Sequence, residues 1–270
     1  MNEKAKELLG KAKYDFADLC RVMEILRGEG GCPWDREQTH ESIRKNFIEE
    51  TYEVVEAIDT KDAHLLCEEL GDVLLQVVFH TQIEREAGRF TIDDVTDGIV
   101  KKLIYRHPHI FADTTAETAE TVLDNWDKLK AKEKHRDTVT ASMLSVPRPL
   151  PALMRAEKVG KRAAKVGFDF STAADAAVKI AEETNEVLTA TDATRAEEVG
   201  DLLFAAVNVS RKCGVDPERA LSDATDKFID RFAAVEDAVR ADGKRMEDLP
   251  LSVLDTYWDR VKANRNGENT

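Results

Sequence analysis

No stretch of this 270-residue sequence approaches the roughly 20 consecutive apolar residues that a bilayer-spanning helix needs. The N-terminus, MNEKAKELLGKAK, lacks the apolar core of a secretory signal, so the cytoplasm is the expected compartment. Cysteine is scarce. Cys20, Cys32, Cys67 and Cys213 stand apart with no CxxC pair, which argues against a zinc site or a disulfide framework and for reduced thiols. Histidine is absent after His135, so any chemistry shared by the two halves of the chain must run without imidazole. A basic surplus is missing too. With 39 Lys and Arg against 53 Asp and Glu, the formal charge is −14, the wrong sign for an extended nucleic-acid surface. An anionic substrate such as a nucleotide stays open only if metal ions and a few local cations offset the acid. No GxxxxGK[ST] occurs, which excludes a P-loop enzyme.

Proline and glycine are sparse, and Val-Ile-Thr alternation of the kind that marks strands is missing. What remains is apolar residues at helical spacing among Glu, Lys, Ala and Leu, which predicts an all-α, globular chain. The clearest break is SVPRPLP, from Ser145 to Pro151, whose alternate prolines favour an extended connector. Residues 1–137 are therefore expected to form one helical domain, ending in a charged, solvated helix end from Lys128 to Asp137. Residues 138–149 are expected to be a linker and residues 150–270 a second helical domain.

The two domains repeat each other. EETYEVVEA, from Glu49, is answered by EETNEVLTA, from Glu182; EELGDVLLQVV, from Glu68, by EEVGDLLFAAV, from Glu197. KLIYR, from Lys102, is answered by KFIDR, from Lys227, and WDKLKAKE, from Trp126, by WDRVKANR, from Trp258. Four blocks in one order mark a duplication. Upstream, GGCPWD, ending at Asp35, and VGFDF, ending at Phe170, each combine Gly, an aromatic residue and Asp, which predicts a turn and an N-cap before the carboxylate helix.

Glu50 and Glu53 are one helical turn apart and share a face, as do Glu69 and Asp72 on the next helix. Glu183 with Glu186, and Glu198 with Asp201, are their counterparts. Acids on a helix usually form a solvated face. Here, however, Asp72 and Asp201 sit in helices apolar nearly all round, LGDVLLQVVF and VGDLLFAAV, and are expected to be buried. A buried carboxylate without a partner costs several kcal/mol, so a counter-charge is expected. Four converging carboxylates with no other donor type select a hard divalent cation, Mg²⁺ with Mn²⁺ as a substitute.

Lys102 with Arg106, Lys227 with Arg231, Trp126 with Lys130, and Trp258 with Lys262 are each four residues apart. As isolated pairs such cations most often form surface ion pairs. Opposite a metal-loaded acid cluster they would grip phosphate oxygens. Each Trp fits equally as core or as a cover for a nucleobase.

EExxE, a spacer, ExxD, a basic helix and a Trp-xxx-Lys helix together resemble the MazG family of all-α nucleoside triphosphate pyrophosphohydrolases. GGCPWDREQTHESIRKNFIEETYEVVEAI and RAAKVGFDF carry the likeness into both halves. The resemblance implies two tandem MazG-like helical domains, homodimers with helices of both subunits in the bundles, and hydrolysis of an NTP or dNTP to monophosphate and pyrophosphate. It further implies Mg²⁺ on Glu50, Glu53, Glu69 and Asp72, and on Glu183, Glu186, Glu198 and Asp201. Substrate contacts are implied at Lys227, Arg231, Trp258 and Lys262, with Lys102, Arg106, Trp126 and Lys130 as counterparts. The second spacer, Val187 to Ala196, is shorter than the first, Val54 to Glu68, and shorter than is usual in the family. The acids of the two helix pairs are therefore not bound to share one register.

In-line attack on a phosphoryl group needs neutralised charge and an aimed water. Glu49 and Glu182 are the expected general bases or second-metal ligands. A di-iron carboxylate bundle would need two Glu-x-x-His motifs, and only Glu37 to His40 fits. A non-enzymatic alternative is a nucleotide-binding regulatory or scaffold protein with one or both sites inactive. Since both copies keep every acid, catalysis in at least one is the favoured expectation.

Overall fold

The computed structural model describes residues 3–112, 118, 122, 129 and 138–267, and every regular element among them is helical, as expected. Trp126 and Lys130, and nearly all of the charged segment expected from Lys128 to Asp137, lie outside the described residues. The chain divides into two compact units, Met1–Leu129 and Lys130–Thr270.

The first unit contains α1 (Glu3–Leu9), α2 (Phe16–Arg27), α3 (Pro33–Glu37), α4 (Arg44–Thr60), α5 (Ala63–Glu86), α6 (Ile92–Arg106) and α7 (Pro108–Phe111). α4 and α5 form a hairpin across Lys61 and Asp62. Lys61 ends α4 in the left-handed region, φ 57°, and Asp62 caps α5 by accepting from the His64 and Leu65 amides. α2 starts at a reciprocal capping box between Asp15 and Asp18. Asp18 is only 2% exposed, and Lys11 Nζ, 2.6 Å away, supplies the counter-charge its burial requires. Met23 of α2 meets Val78 and Phe79 of α5 and Ile43 in the core, and α6 rests more lightly on α5.

In the second unit are α8 (Val139–Leu144), α9 (Ala152–Ala164), α10 (Ala173–Thr189), α11 (Arg195–Lys212), α12 (Pro217–Ala241), a 3-10 turn (Met246–Asp248) and α13 (Leu251–Gly267). α10 and α11 form the counterpart hairpin. α12 and α13 form another around Val235, Val239 and Tyr257, where Tyr257 Oη donates to Asp242 at 2.6 Å. α9 contacts α8, α11 and α12. Residues 138–149 are not extended throughout, because Thr138 caps α8 and Arg162 of α9 holds the Ser142 carbonyl. The proline segment from Ser145 to Pro151 is free of helix, as its composition requires.

The shorter second spacer shortens both arms of its hairpin. α4 runs seven residues beyond Glu53 and α5 starts six before Glu69. α10 runs three beyond Glu186 and α11 starts three before Glu198. Each arm is shorter by about one helical turn, and the acids that converge differ between the hairpins.

The expected N-caps are corrected. Asp35 lies inside α3, and α4 begins at Arg44, with Ile43 before it providing no side-chain cap. Thr172, in a box with Asp175, caps α10. Asp35 instead lends its carbonyl to Arg27, while Asp169 is engaged by Arg211 and Lys212 of α11. Both motifs thus bind their loop to a neighbouring helix. Gly31 allows the first of these loops to close, since a Cβ there would sit 2.3 Å from the Ile25 and Leu26 carbonyl oxygens.

Candidate metal centre

Glu50 projects from α4 and Glu69 and Asp72 from α5, because i, i+3 spacing puts Glu69 and Asp72 on the side of α5 that meets α4. One carboxylate oxygen from each of the three lies within 4.8 Å of the others. Glu53 hydrogen-bonds Glu69. Burial, then the charges of Glu53 and Asp72, raise the Glu50 pKa above the ordinary carboxylate value. Burial, then the hydrogen bond and charge of Glu53, raise that of Glu69, which is 9% exposed. The hairpin therefore confines negative charge that nothing in the cluster itself offsets.

In the second unit Glu183, Glu186 and Glu198 come within 4.8 Å of one another, so two acids come from α10 and one from α11, and Asp201, which matches Asp72, is not among the three. Here a cation of the chain itself has joined them. Lys179, one turn before Glu183, places Nζ 2.8 Å from both Glu182 and Glu183. Lys179 lowers the Glu183 pKa, and the two carboxylates hold the ammonium above its ordinary range. Glu186 is raised, chiefly by the charge of Glu183.

Both donor sets fit a hard cation. Atoms separated by no more than 4.8 Å lie at most about 2.8 Å from a common centre. Small side-chain adjustments bring that to the ~2.1 Å of Mg–O contacts. Every donor is a carboxylate oxygen, as Mg²⁺ and Mn²⁺ prefer.

The burial expected of the two aspartates is corrected. Asp72 is half-buried and Asp201 is exposed. Each hairpin buries only the faces its two helices turn to each other, so the remaining apolar residues are bare within the chain. Leu188 is 76% exposed and Leu203 51%, and Ile58 and Leu70 are similarly open in the first hairpin.

Glu49 and Glu182 flank the clusters without entering them, paired to Lys45 at 2.7 Å and to Lys179 respectively. Lys102 is half-buried and Arg106 buried at the end of α6. Lys227 and Lys262 are exposed. The Arg231 guanidinium lies 5.9 Å from the Trp258 ring centre. That ring packs on Phe228 and on the Val235–Val239–Tyr257 core, so Trp258 contributes to packing while the Arg231 cation lies over its face.

Sequence reasoning passed over two residues at these sites. Gln76, buried one turn beyond Asp72, hydrogen-bonds Glu50, and its Oε1 has no partner. A lone amide in the apolar run LLQVVF was its signal. For Lys179 the signal was its spacing of four from Glu183. A third group, His40, His80, Glu84 and Arg89, closes the other end of the first hairpin. His40 Nε2 is 2.5 Å from Glu84 Oε1, and its Nδ1 is 2.7 Å from that of His80. Arg89 and then His40 hold the Glu84 pKa down to about 2.

No described helix is long and apolar enough to cross a membrane. A model of the MazG nucleotide pyrophosphohydrolase domain matches residues 38–111, which span the first acid set. Similar proteins span both units. The nucleoside triphosphate pyrophosphohydrolase/pyrophosphatase MazG of Thermotoga maritima is 47% identical over 250 residues, 92% of this chain and 96% of that one. A nucleoside triphosphate pyrophosphohydrolase of Escherichia coli is 44% identical over 251 residues, 90% of this chain and 95% of its own. One from Mycolicibacterium smegmatis is 37% identical over 238 residues, 87% of this chain and 63% of the relative.

Proposed function

The chain belongs to the MazG family, and from that premise we propose that it hydrolyses nucleoside triphosphates to the monophosphate and pyrophosphate in a Mg²⁺-dependent reaction. We read its role as housecleaning of the nucleotide pool in the cytoplasm. The observation that carries the reading is the convergence of three carboxylates within 4.8 Å in each of two helical hairpins. We read the chain as two copies of one duplicated domain, residues 1–137 and 150–270, joined by residues 138–149.

Glu50, Glu69 and Asp72, with Glu53 beside them, would hold the ion in one unit, and Glu183, Glu186 and Glu198, with Asp201, in the other. When bound, Mg²⁺ neutralises phosphate oxygens and lowers the pKa of a water. Glu49 and Glu182, adjacent in sequence to ligands, accept the proton of the attacking water. Lys227, Arg231 and Lys262 hold the phosphates and stabilise the departing pyrophosphate, with Trp258 beside Arg231 flanking the substrate. Lys102, Arg106, Trp126 and Lys130 are the first-half counterparts. Mn²⁺ substitutes, because the donors are the same oxygens.

The bare apolar faces of both hairpins are the case for a homodimer. A second chain's hairpin laid against each would complete a bundle and bring Asp201 into a covered setting. The test is product analysis with a panel of canonical and modified triphosphates. Monophosphate and pyrophosphate in equal amounts, lost on chelation and restored by Mg²⁺, are expected. Release of nucleoside diphosphate and orthophosphate would overturn the reading.

A further inference from the structure

We propose that Gln76 is a positioning residue of the first metal centre, its amide holding Glu50 at one end and a metal-bound water at the other. The inference rests on the metal reading of that cluster given above. Gln76 is 7% exposed, within the apolar run LLQVVF of α5. Its place follows from helix geometry. Glu69, Asp72 and Gln76 stand at i, i+3 and i+7 on α5, inside an arc of about 60°. Glu69 and Asp72 meet Glu50 of α4, and Gln76 reaches the same carboxylate through a hydrogen bond.

That bond fixes the amide's orientation. It favours the ionised form of Glu50, and an ionised carboxylate only accepts, so Nε2 donates to Glu50 and Oε1 faces away. Oε1 is buried and has no partner among the described residues. An empty buried acceptor is destabilising and uncommon in folded chains, so it points to a donor that joins it. A hydrated divalent ion at the acids supplies one. Mg²⁺ sheds its waters reluctantly and keeps several when bound by a few carboxylates. An acceptor for such a water stands about 5 Å from the ion, one metal–oxygen contact of ~2.1 Å plus one hydrogen bond of ~2.8 Å. The Cα of Gln76 is about 6 Å along the axis from that of Asp72, and helical side chains lean towards the N-terminus. Gln76 therefore reaches back over the turn that carries Asp72, at outer-shell range. The second hairpin has no such group, since four residues beyond Asp201 stands Ala205.

The test uses the full chain carrying Glu183→Gln and Glu198→Gln, which leaves one intact cluster, with Mn²⁺ as the probe. Electron paramagnetic resonance measures Mn²⁺ affinity and, from line broadening in isotope-labelled water, the number of bound waters. Thermal melts in excess chelator report the metal-free fold. Gln76→Met keeps the bulk and removes both amide groups, whereas Gln76→Glu keeps an acceptor and removes the donor. A crossed order is expected. Gln76→Met should bind Mn²⁺ about tenfold or more weakly than its parent, the scale of a lost outer-shell contact. Its bound waters should be unchanged in number and its melting temperature in chelator no lower, because the unpartnered acceptor is gone. Gln76→Glu should bind Mn²⁺ at least as tightly as the parent yet melt lower in chelator, since it adds a like charge beside Glu50. Unchanged affinity in Gln76→Met, or an affinity and a metal-free melting temperature that fall together, overturns the proposal. One additional bound water in Gln76→Met does so too, because Oε1 would then be a direct ligand. If Gln76→Met does not fold, weaker binding by Gln76→Glu than by the parent is the overturning result. A parent chain that binds no Mn²⁺ overturns the metal reading of the first cluster, and the role of Gln76 with it.

Discussion

The two acid clusters lie in similar helical hairpins, yet among the described residues only the second contains a cation of the chain itself. The difference is one of helical phase. Lys45 lies four residues before Glu49 and pairs with it on an exposed face, leaving Asn46 at the position one turn before Glu50. In the second unit the lysine is Lys179, one turn before Glu183, and it reaches into the cluster at 2.8 Å. Moving a positive charge by one position along a helix rotates it by about 100°. That rotation separates a surface ion pair from an internal counter-ion. The first cluster is therefore a set of like charges without an internal lysine among the described residues, while the second is partly neutralised.

The largest effect that can test this comparison comes from the acids. Glu50→Gln and Glu183→Gln, made separately, are each expected to lower pyrophosphate release from their own unit at least tenfold, and the double variant to abolish it. A double variant that keeps wild-type turnover with Mg²⁺ would remove both clusters from the chemistry. A single variant that removes all activity would show that only one copy turns over.

Next in size is the exchange of the lysine. With Glu50→Gln silencing the first unit, Lys179→Met is expected to lower the Mg²⁺ concentration for half-maximal activity about two- to fivefold, the scale of one half-exposed ion pair. With Glu183→Gln silencing the second, Asn46→Lys is expected to raise it by a similar factor. Titrations of activity against Mg²⁺ measure both, and shifts in the same direction would contradict an internal counter-ion.

A smaller effect is thermodynamic. Glu50 and Glu69 have pKa values above those of the unfolded chain, so between the two values the folded state binds more protons than the unfolded one. Stability of the chelated first unit must then rise as pH falls from 7 towards the unfolded carboxylate range near ~4.3. Glu183 is lowered while Glu186 is raised, so the second unit should respond less. Hydrogen exchange of α4–α5 and of α10–α11 in excess chelator, compared between pH 7 and pH 5, separates the two. Equal responses would mean that Lys179 does not change the balance.

Which features were legible in the sequence follows from the same geometry. The helical class depends on periodicity, and periodicity survives translation into three dimensions. Lys179 and Gln76 escaped because their roles depend on which way a side chain faces across a hairpin. Burial of Asp201 was misjudged because an apolar helix was taken to be covered by its own chain, whereas Leu203 and Phe204 beside it are open. Asp35 and Asp169 were read as caps from local sequence alone. Their partners, Arg27 and Arg211, are set by tertiary contacts that no local pattern encodes.

The smallest effect compares how each unit pins the loop ahead of its carboxylate helix. In the first, the acid is on the helix: Glu84 of α5 holds His40 of the loop and Arg89. In the second, the acid is on the loop: Asp169 is held by Arg211 and Lys212 of α11. Both carboxylates are depressed, Glu84 to about 2 and Asp169 further, in each case chiefly by an arginine. A depressed carboxylate contributes stability above its unfolded pKa and loses it as pH falls through the folded one. Glu84→Gln should therefore lower the melting temperature by a few degrees at pH 7, with the gap to wild type closing between about pH 4.3 and pH 2. Asp169→Asn should open a gap that persists to lower pH, because its partners hold it more tightly. Thermal melts of both variants across pH 2 to 7 decide the matter, and a Glu84→Gln gap that stays constant down to pH 2 would show that packing, not charge, closes the first loop.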